Sequence, residues 1–188
     1  MSTLYVDTIT EKTSGNGVQI ADLVPAAGSV VQVKSVTMTD QQSFTGVAFT
    51  DITDGTNALS ISITPTSSSS KFLLMMNITA SANNGGSRFG FRFMRDSTPV
   101  GNGVTEGSRT PVAVQGLGTT SNNIDEELTS IFLDNPATAS AITYKIQGHV
   151  EQSASTCIIN RSNTNANSSS VYRTAAALHY GDCTMTSI

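Results

Sequence analysis

The stretch "AITYKIQGHVE" (residues 141–151) decides the fold class, because its apolar and polar residues alternate along almost its whole length. One set of alternate positions is apolar or small: Ile142, Tyr144, Ile146, Gly148 and Val150. The positions between them hold only polar or charged side chains. Successive side chains of a β-strand point to opposite faces of the sheet. The pattern therefore predicts a half-buried strand of about ten residues.

Neighbouring stretches repeat this period. In "RFGFRFMR" (88–95) the three phenylalanines share one face, and in "ALSISIT" (58–64) the leucine and two isoleucines point inward. By contrast, "KFLLMMNITA" (71–80) is apolar at successive positions from Phe72 to Met76, which predicts a central strand covered on both faces. Five more stretches have the composition of strands: "SVVQVKSVTM", "FTGVAFTDI", "LTSIFLD", "TCIIN" and "AAALHYG".

Composition supports an all-β protein. Roughly a quarter of the 188 residues are Ser or Thr, and turn signals such as "DGTN", "NNGG" and "GNG" separate the predicted strands. About eight to ten short strands at this spacing predict an antiparallel, jelly-roll-like β-sandwich. The longest stretch without a clear strand, residues 105–123, is expected to be a functional or covering loop. A short N-terminal β-hairpin or extended segment is expected before the sandwich.

Charge and hydropathy exclude several classes of function. The net charge of -4 provides no basic surface for nucleic acid. No run of 18 apolar residues and no signal-peptide pattern is visible, so we expect neither membrane insertion nor export by the usual route.

No motif in the chain indicates catalysis, a cofactor or a metal. Its two histidines, His149 and His179, both fall on strand faces that are predicted to meet solvent or a partner. Arg88, Arg92 and Arg95 form a local basic stripe, for which a solvated strand face is the favoured interpretation and contact with acidic sugars or a partner's carboxylates the alternative. We expect no enzymatic activity, no catalytic residue, no cofactor and no metal site.

The two cysteines, Cys157 and Cys183, both lie in the last part of the chain. Two neighbouring strands there would allow a single disulfide bond. Two reduced thiols that pack as small side chains are the favoured interpretation, because one pair of cysteines does not make a disulfide framework.

The N-terminal stretch "LYVDTITEKTSGNGVQI" resembles the short N-terminal modules of tail-fibre and other virion structural proteins of marine bacteriophages, including cyanophages. The following stretches resemble successive strands of a domain found in such proteins: "FTGVAFTDITDG", "ISITPTSSSSKFLLMMNI", "FGFRFMRDSTPVG" and "LDNPATASAITYKIQGHVE". The resemblance covers most of the chain. Related fibres often continue with strand repeats where this chain has "ADLVPAAG", which argues against a long fibre shaft.

The resemblance implies a virion protein made in the host cytoplasm, with residues 1–28 as an assembly segment and 29–188 as a displayed β-sandwich. The apolar side chains of the segment are too few for a core of their own, so they are expected to pack in a homotrimer or against other virion proteins: Leu4, Val6, Ile9, Val18 and Ile20. The implied role is a tail-fibre or tail-appendage component for host-surface recognition. Two alternatives stay open: a capsid decoration or head-fibre protein, and a carbohydrate-active β-sandwich enzyme.

A surface rich in Ser, Thr and Asn suits a host cell-surface glycan. Loops at one end of a sandwich can converge on a ligand without disturbing the core. The residues predicted to face such a ligand are Asn102, Arg109, Asn163 and Asn165.

Overall fold

The computed structural model describes residues 29–53, 55–118, 125–164, 166–169 and 172–184. Among these residues every regular element is a β-strand, and no helix is present that could span a membrane. Residues 1–28, and with them the predicted assembly segment, lie outside the described residues.

Twelve strands follow in chain order: β1 Val30–Met38, β2 Gln42–Thr45, β3 Thr50–Asp51, β4 Ser60–Ile63, β5 Ser70–Ala82, β6 Arg88–Arg95, β7 Thr98–Val100, β8 Val114–Leu117, β9 Glu126–Asp134, β10 Ile142–Val150, β11 Thr156–Ile159 and β12 Ala176–Thr184. They form two antiparallel sheets. Sheet A contains β1, β2, β5, β9, β11 and β12, and sheet B contains β3, β4, β6, β7, β8 and β10.

Sheet A is built around the 13-residue strand β5. Strand β9 pairs with one edge of β5, while β12 and β11 pair with successive parts of the other edge. Strand β1 continues the sheet beyond β12, and β2 continues it beyond β11. In sheet B, β10 and β6 form the central pair; β3 and β4 pair with the free edge of β10, and β7 and β8 with that of β6.

The core lies between the two sheets and confirms the predicted antiparallel β-sandwich. Residues of β10 alternate strictly between buried and half-buried, as the period of "AITYKIQGHVE" predicts. The three phenylalanines of β6 and the leucine and two isoleucines of "ALSISIT" are buried in the same core. Burial of an aliphatic or aromatic side chain contributes about 1.5–3 kcal/mol, so these alternating faces supply much of the driving force for folding.

The prediction that "KFLLMMNITA" is covered on both faces is wrong. Strand β5 has neighbours on both edges, but only its even-numbered residues, such as Phe72 and Leu74, are buried between the sheets. Leu73 is half-buried and Met75 is exposed on the outer face of sheet A. A continuous apolar run therefore marks a strand whose outer face is also apolar, without telling whether anything covers that face.

Several strand boundaries differ from those expected. The stretch "FTGVAFTDI" is two strands, β2 and β3, because the chain turns at Gly46, whose φ is +94° and suits glycine. Strands β7 and β8 are not among the expected ones: β7 contains Pro99, and β8, a four-residue strand with Gly116 inside, lies within the stretch 105–123 that is expected to be a loop. Both are outer strands of sheet B, where such residues are tolerated.

The predicted stripe of Arg88, Arg92 and Arg95 is divided between the two faces of sheet B. Arg88 and Arg92 lie on the outer face, whereas Arg95 points to the inner side, because the side chains of a strand alternate. Arg95 Nη1 lies 2.9 Å from the carboxylate of Asp134 on β9, which also accepts a 2.6 Å hydrogen bond from the hydroxyl of Tyr144 on β10. This cluster joins sheet B to sheet A.

The two cysteines do not lie on neighbouring parts of the sheet. Cys157 on β11 is buried and its thiol is free. In the sheet, Cys157 is the strand partner of Ala82, and Cys183 on β12 is the strand partner of Lys71. These positions on β5 are eleven residues apart, or about 36 Å at 3.3 Å per residue. Cα atoms joined by a disulfide bond lie within about 7 Å, so this fold excludes the bridge.

We predict that Asp134→Asn destabilises the sandwich, because it removes the charge that pairs with Arg95 and weakens the hydrogen bond from Tyr144. The free energy of unfolding should fall by about 2–3 kcal/mol in denaturant titrations at pH 7. The matched control is Glu151→Gln, whose ion pair with Arg88 is exposed and should contribute less than about 1 kcal/mol. Equal losses for the two variants would contradict the proposed role of the inner cluster.

Candidate functional site

The segment between β7 and β8, residues 101–113, starts at Gly101 against Phe132 of sheet A and reaches the outer face of sheet B at Val112. Its Ala113 amide donates a 2.8 Å hydrogen bond to the Phe91 carbonyl of β6, and its Gly103 amide donates to the Val112 carbonyl. Val112 packs over Gly90, where an added Cβ would lie only 2.9 Å from Val112 Cγ1. The glycine inside β6 thus allows the segment to approach the strand closely.

A cleft of about 400 Å³ lies between this segment and the sheet. Strands β6 and β10 supply Arg88, Phe89, Gly90 and His149, Glu151 follows directly after β10, and β8 supplies Gln115. The segment itself supplies Ser108, Arg109, Thr110 and Val112. Guanidinium, amide, hydroxyl, imidazole and carboxylate groups therefore surround one concave surface.

Exposed ion pairs hold the charges around the cleft. Arg88 Nη1 lies 3.4 Å from Glu151 Oε2, and their side chains are 60% and 45% exposed. Arg109 pairs with Glu106 at 2.8 Å within the segment. Pairs this exposed contribute little to stability. Both guanidinium groups can therefore turn toward a ligand at small cost to the fold.

His149 lies on the outer face of β10 at the cleft. The centroid of its ring is 5.1 Å from that of Phe49. The guanidinium carbon of Arg92 also lies over the Phe49 ring, 3.4 Å from its centroid. Burial lowers the pKa of His149, and the positive charge of Arg92 acts in the same direction, although a backbone hydrogen bond with Val47 and the charge of Glu151 oppose them. Because its pKa lies below the usual value, the ring is mainly neutral at pH 7, and the hydrogen bond with Val47 leaves one ring nitrogen for another partner.

A hydrogen-bonded row continues from Arg92 along the same face. Gln147 Oε1 accepts bonds of 3.0 and 2.7 Å from Arg92, and Gln147 Nε2 donates a 2.7 Å bond to Asp51. Lys145 Nζ lies 2.7 Å from the other oxygen of Asp51. Burial acts to raise the pKa of Asp51, but the bonds from Lys145 and Gln147 outweigh it and lower the pKa. These charges satisfy one another, so the row supports the face rather than offering a reactive group.

The structure separates the loop residues that the sequence grouped together. Arg109 lines the cleft, whereas Asn102 starts the same segment without lining it. Asn163 lies beside Arg161, whose carbonyl accepts a 3.3 Å hydrogen bond from Ser81 on sheet A. Asn163 is therefore not part of the cleft, and Asn165 lies outside the described residues.

The sequence contained a signal for part of the cleft that the loop-based prediction did not use. Alternation along β10 placed His149 and Glu151 on the outer face, and Gly90 inside an aromatic strand indicated a close backbone approach. Local pattern could not show that Val112 is the residue that lies over Gly90, because the two are far apart in sequence and meet only in the folded sheet. Gln115 belongs to the unpredicted strand β8.

Among the described residues, no group of three or more His, Cys, Asp or Glu side chains is arranged to hold a metal ion.

Comparisons with known proteins find only distant similarity in structure. No family model matches the chain, and no curated protein matches it. Solved structures with similar architecture include VP2 of infectious bursal disease virus in a subviral particle (12% identity, 88% of this chain, TM-score 0.43) and a D431N mutant of that protein in T=1 particles (11%, 88%, 0.44). This chain spans 43% and 40% of those chains, about two-fifths of their length. We infer no function from similarity at this level.

We predict that His149 makes stability depend on pH below neutrality. Its folded-state pKa is below the usual 6.5, so the unfolded chain binds more protons in the window beneath that value. The free energy of unfolding should therefore fall as pH is lowered from about 7 through 6.5 toward the folded pKa. Denaturant titrations of the wild type and of His149→Gln at several pH values measure this contribution as their difference.

Gln152→Ala is the matched control, since Gln152 is exposed and carries no titratable group. It should leave the pH dependence of the wild type in place. If His149→Gln loses stability between pH 7 and 5 as steeply as the wild type does, burial of a neutral His149 is not the cause.

Proposed function

We propose that this chain is a non-enzymatic structural protein of a phage virion, a component of a tail fibre or tail appendage that displays its sandwich for host-surface recognition. The resemblance of its N-terminal stretch and successive strands to phage virion proteins supports this assignment. In this proposal residues 1–28 attach the sandwich to other virion proteins and hold copies together, as the trimer expected from the sequence. The ligand is a glycan of the host cell surface.

The cleft on the outer face of sheet B is the observation that supports the recognition role. Gln115, Ser108 and Thr110 present groups that both donate and accept hydrogen bonds, as sugar hydroxyls do. Arg88 and Arg109 add donors that suit a carboxylate-bearing sugar. The sheet provides a rigid floor, and the overlying segment provides the variable wall, which is the usual division between scaffold and binding loop.

The chemistry of the cleft also supports a binding role over hydrolysis. Most glycoside hydrolases place two carboxyl groups about 5–9.5 Å apart across the bond to be cleaved. Of the carboxylates in the part of the chain that the structure describes, Glu151 lines the cleft, and it already pairs with Arg88. The neutral His149 packs against the ring of Phe49.

Electron microscopy of the virion, with gold-labelled antibody against this chain, tests the assignment. We predict label on the tail or its appendages. Label over the shell of the head would replace this assignment with the alternative, a capsid decoration or head-fibre protein. Particles without label, alongside a labelled control protein of the tail, would contradict a virion role.

Glycan binding tests the cleft. We predict that Gln115→Ala weakens binding of host surface polysaccharide about two- to tenfold in calorimetry, because a neutral hydrogen bond contributes about 0.5–1.5 kcal/mol. Gln152→Ala is the matched control, since Gln152 is exposed nearby and does not line the cleft. Equal binding by both variants would exclude this cleft, and release of reducing ends from the polysaccharide would favour the enzyme alternative.

A further inference from the structure

The outer face of sheet A carries a second surface, which neither the cleft nor the core explains. Two successive rows of paired residues cross β1, β12, β5 and β9 on this face: Val33, Gly181, Leu73 and Leu133 in the first, and Ser35, His179, Met75 and Ile131 in the second. We call the aliphatic members of these rows, together with Val30, the apolar patch: Val30, Val33, Leu73, Met75, Ile131 and Leu133. The patch is contiguous because its members pair directly or lie next to paired residues.

Much of the apolar patch is open to solvent. The exposed fractions are 69% for Val33, 62% for Ile131 and 50% for Leu133. Gly181 lies between Val33 and Leu73 and adds no side chain, so this part of the face stays low and flat. Large exposed aliphatic side chains placed side by side on a sheet are typical of an interaction surface.

The same face of sheet A is covered at its other end. Ser81 and Ile158 lie on the outer side of β5 and β11, yet both are at most 5% exposed. Ser81 donates to the carbonyl of Arg161, in the segment that follows β11. The chain thus covers one end of the face with its own residues and leaves the apolar patch uncovered by any described residue.

The size of the open part is sufficient for a specific contact. Four strands at about 4.8 Å spacing are roughly 19 Å wide, and the distance from Lys71 to Thr79 along β5 is about 26 Å. The product is about 500 Å² for each copy, and two such faces would together bury about 1,000 Å². That area is near the lower limit of specific protein–protein interfaces.

Charges of opposite sign stand at the two ends of the open part. Lys71 lies on the outer face of β5, four residues before Met75. Thr79 lies four residues after Met75 on β5. Its partner on β9 is Glu127, which is exposed on the same face. A second copy rotated by 180° about an axis across the strands at Met75 would bring each Lys71 over the other copy's Thr79, one strand away from Glu127 and within reach of the long lysine side chain. The face is therefore complementary to itself in charge.

We propose that the outer face of sheet A binds the same face of a second copy of this chain, with the strands antiparallel and a two-fold axis near Met75. Met75 and Ile131 then face their own counterparts, Leu73 and Leu133 cover the row of Asn77 and Thr129, and the Lys71–Glu127 pairs set the direction of the strands. Such isologous contacts are the commonest form of assembly between identical chains. This contact is distinct from any three-fold contact through residues 1–28, and the two together would multiply the number of copies.

The mass of the full chain in solution tests the contact. By sedimentation velocity or multi-angle light scattering, the wild type should contain an even number of 19.6 kDa chains. Ile131→Asp should halve that number and raise the dissociation constant of the pair at least about tenfold, because two charges would be buried in the contact. Val104→Asp is the matched control on an exposed valine outside sheet A and should leave the mass unchanged.

Charge reversal tests the direction of the strands and does not depend on a core residue. Lys71→Glu and Glu127→Lys should each weaken the pair, and the double variant should restore it. Circular dichroism confirms that each variant is folded. An unchanged mass for Ile131→Asp would overturn the proposal and would indicate that residues 1–28 or another virion protein cover the face. A double variant no tighter than the single ones would overturn the antiparallel arrangement.

Because the readout is association of the purified chain, these results are independent of the virion assignment. A chain that pairs through this face but is absent from particles would leave the contact intact and contradict the proposed function.

Discussion

The whole structure depends on the pairing of one long strand, β5, with three others. Its thirteen residues bind β9 along one edge and both β12 and β11 along the other, so a change in its register would move every strand of sheet A. Its inner side chains, Phe72, Leu74, Met76 and Ile78, are at most 1% exposed. A shift by one residue would turn these side chains outward and expose them to solvent. The burial of these side chains therefore holds the register.

Sheet B is held to this frame by packing and by one polar cluster. Phe72 of β5 lies 5.7 Å from the ring of Tyr144, and Tyr144 lies 5.8 Å from Tyr180 of β12. The hydroxyl of Tyr144 donates to Asp134, which also binds Arg95. Aromatic packing is tolerant of small displacements, whereas the ion pair and its hydrogen bond require one geometry. Apolar burial therefore stabilises the contact between the two sheets, and the cluster fixes their relative orientation.

The two outer faces of the sandwich differ in their chemistry. On sheet B, Gly90 admits residues 101–113, and polar groups surround the resulting cleft. On sheet A, side chains such as Val33 and Ile131 stay exposed, with opposite charges at either end. The first surface is the one we propose for a hydroxyl-rich ligand, and the second is the one we propose for another copy of the chain.

The sequence by itself determined the fold class, because alternation along "AITYKIQGHVE" and "RFGFRFMR" reports which side chains of a strand are buried together. It also placed His149 and Glu151 on an outer face. Only the tertiary structure decided which strands became neighbours: that Val112 lies over Gly90, that Cys157 and Cys183 pair with distant parts of β5, and that Arg95 turns inward to Asp134. Alternation is a local consequence of backbone geometry, whereas strand neighbours are chosen by the burial of the whole core. For that reason the apolar run of β5 predicted its place in the sheet but not that its outer face would remain open.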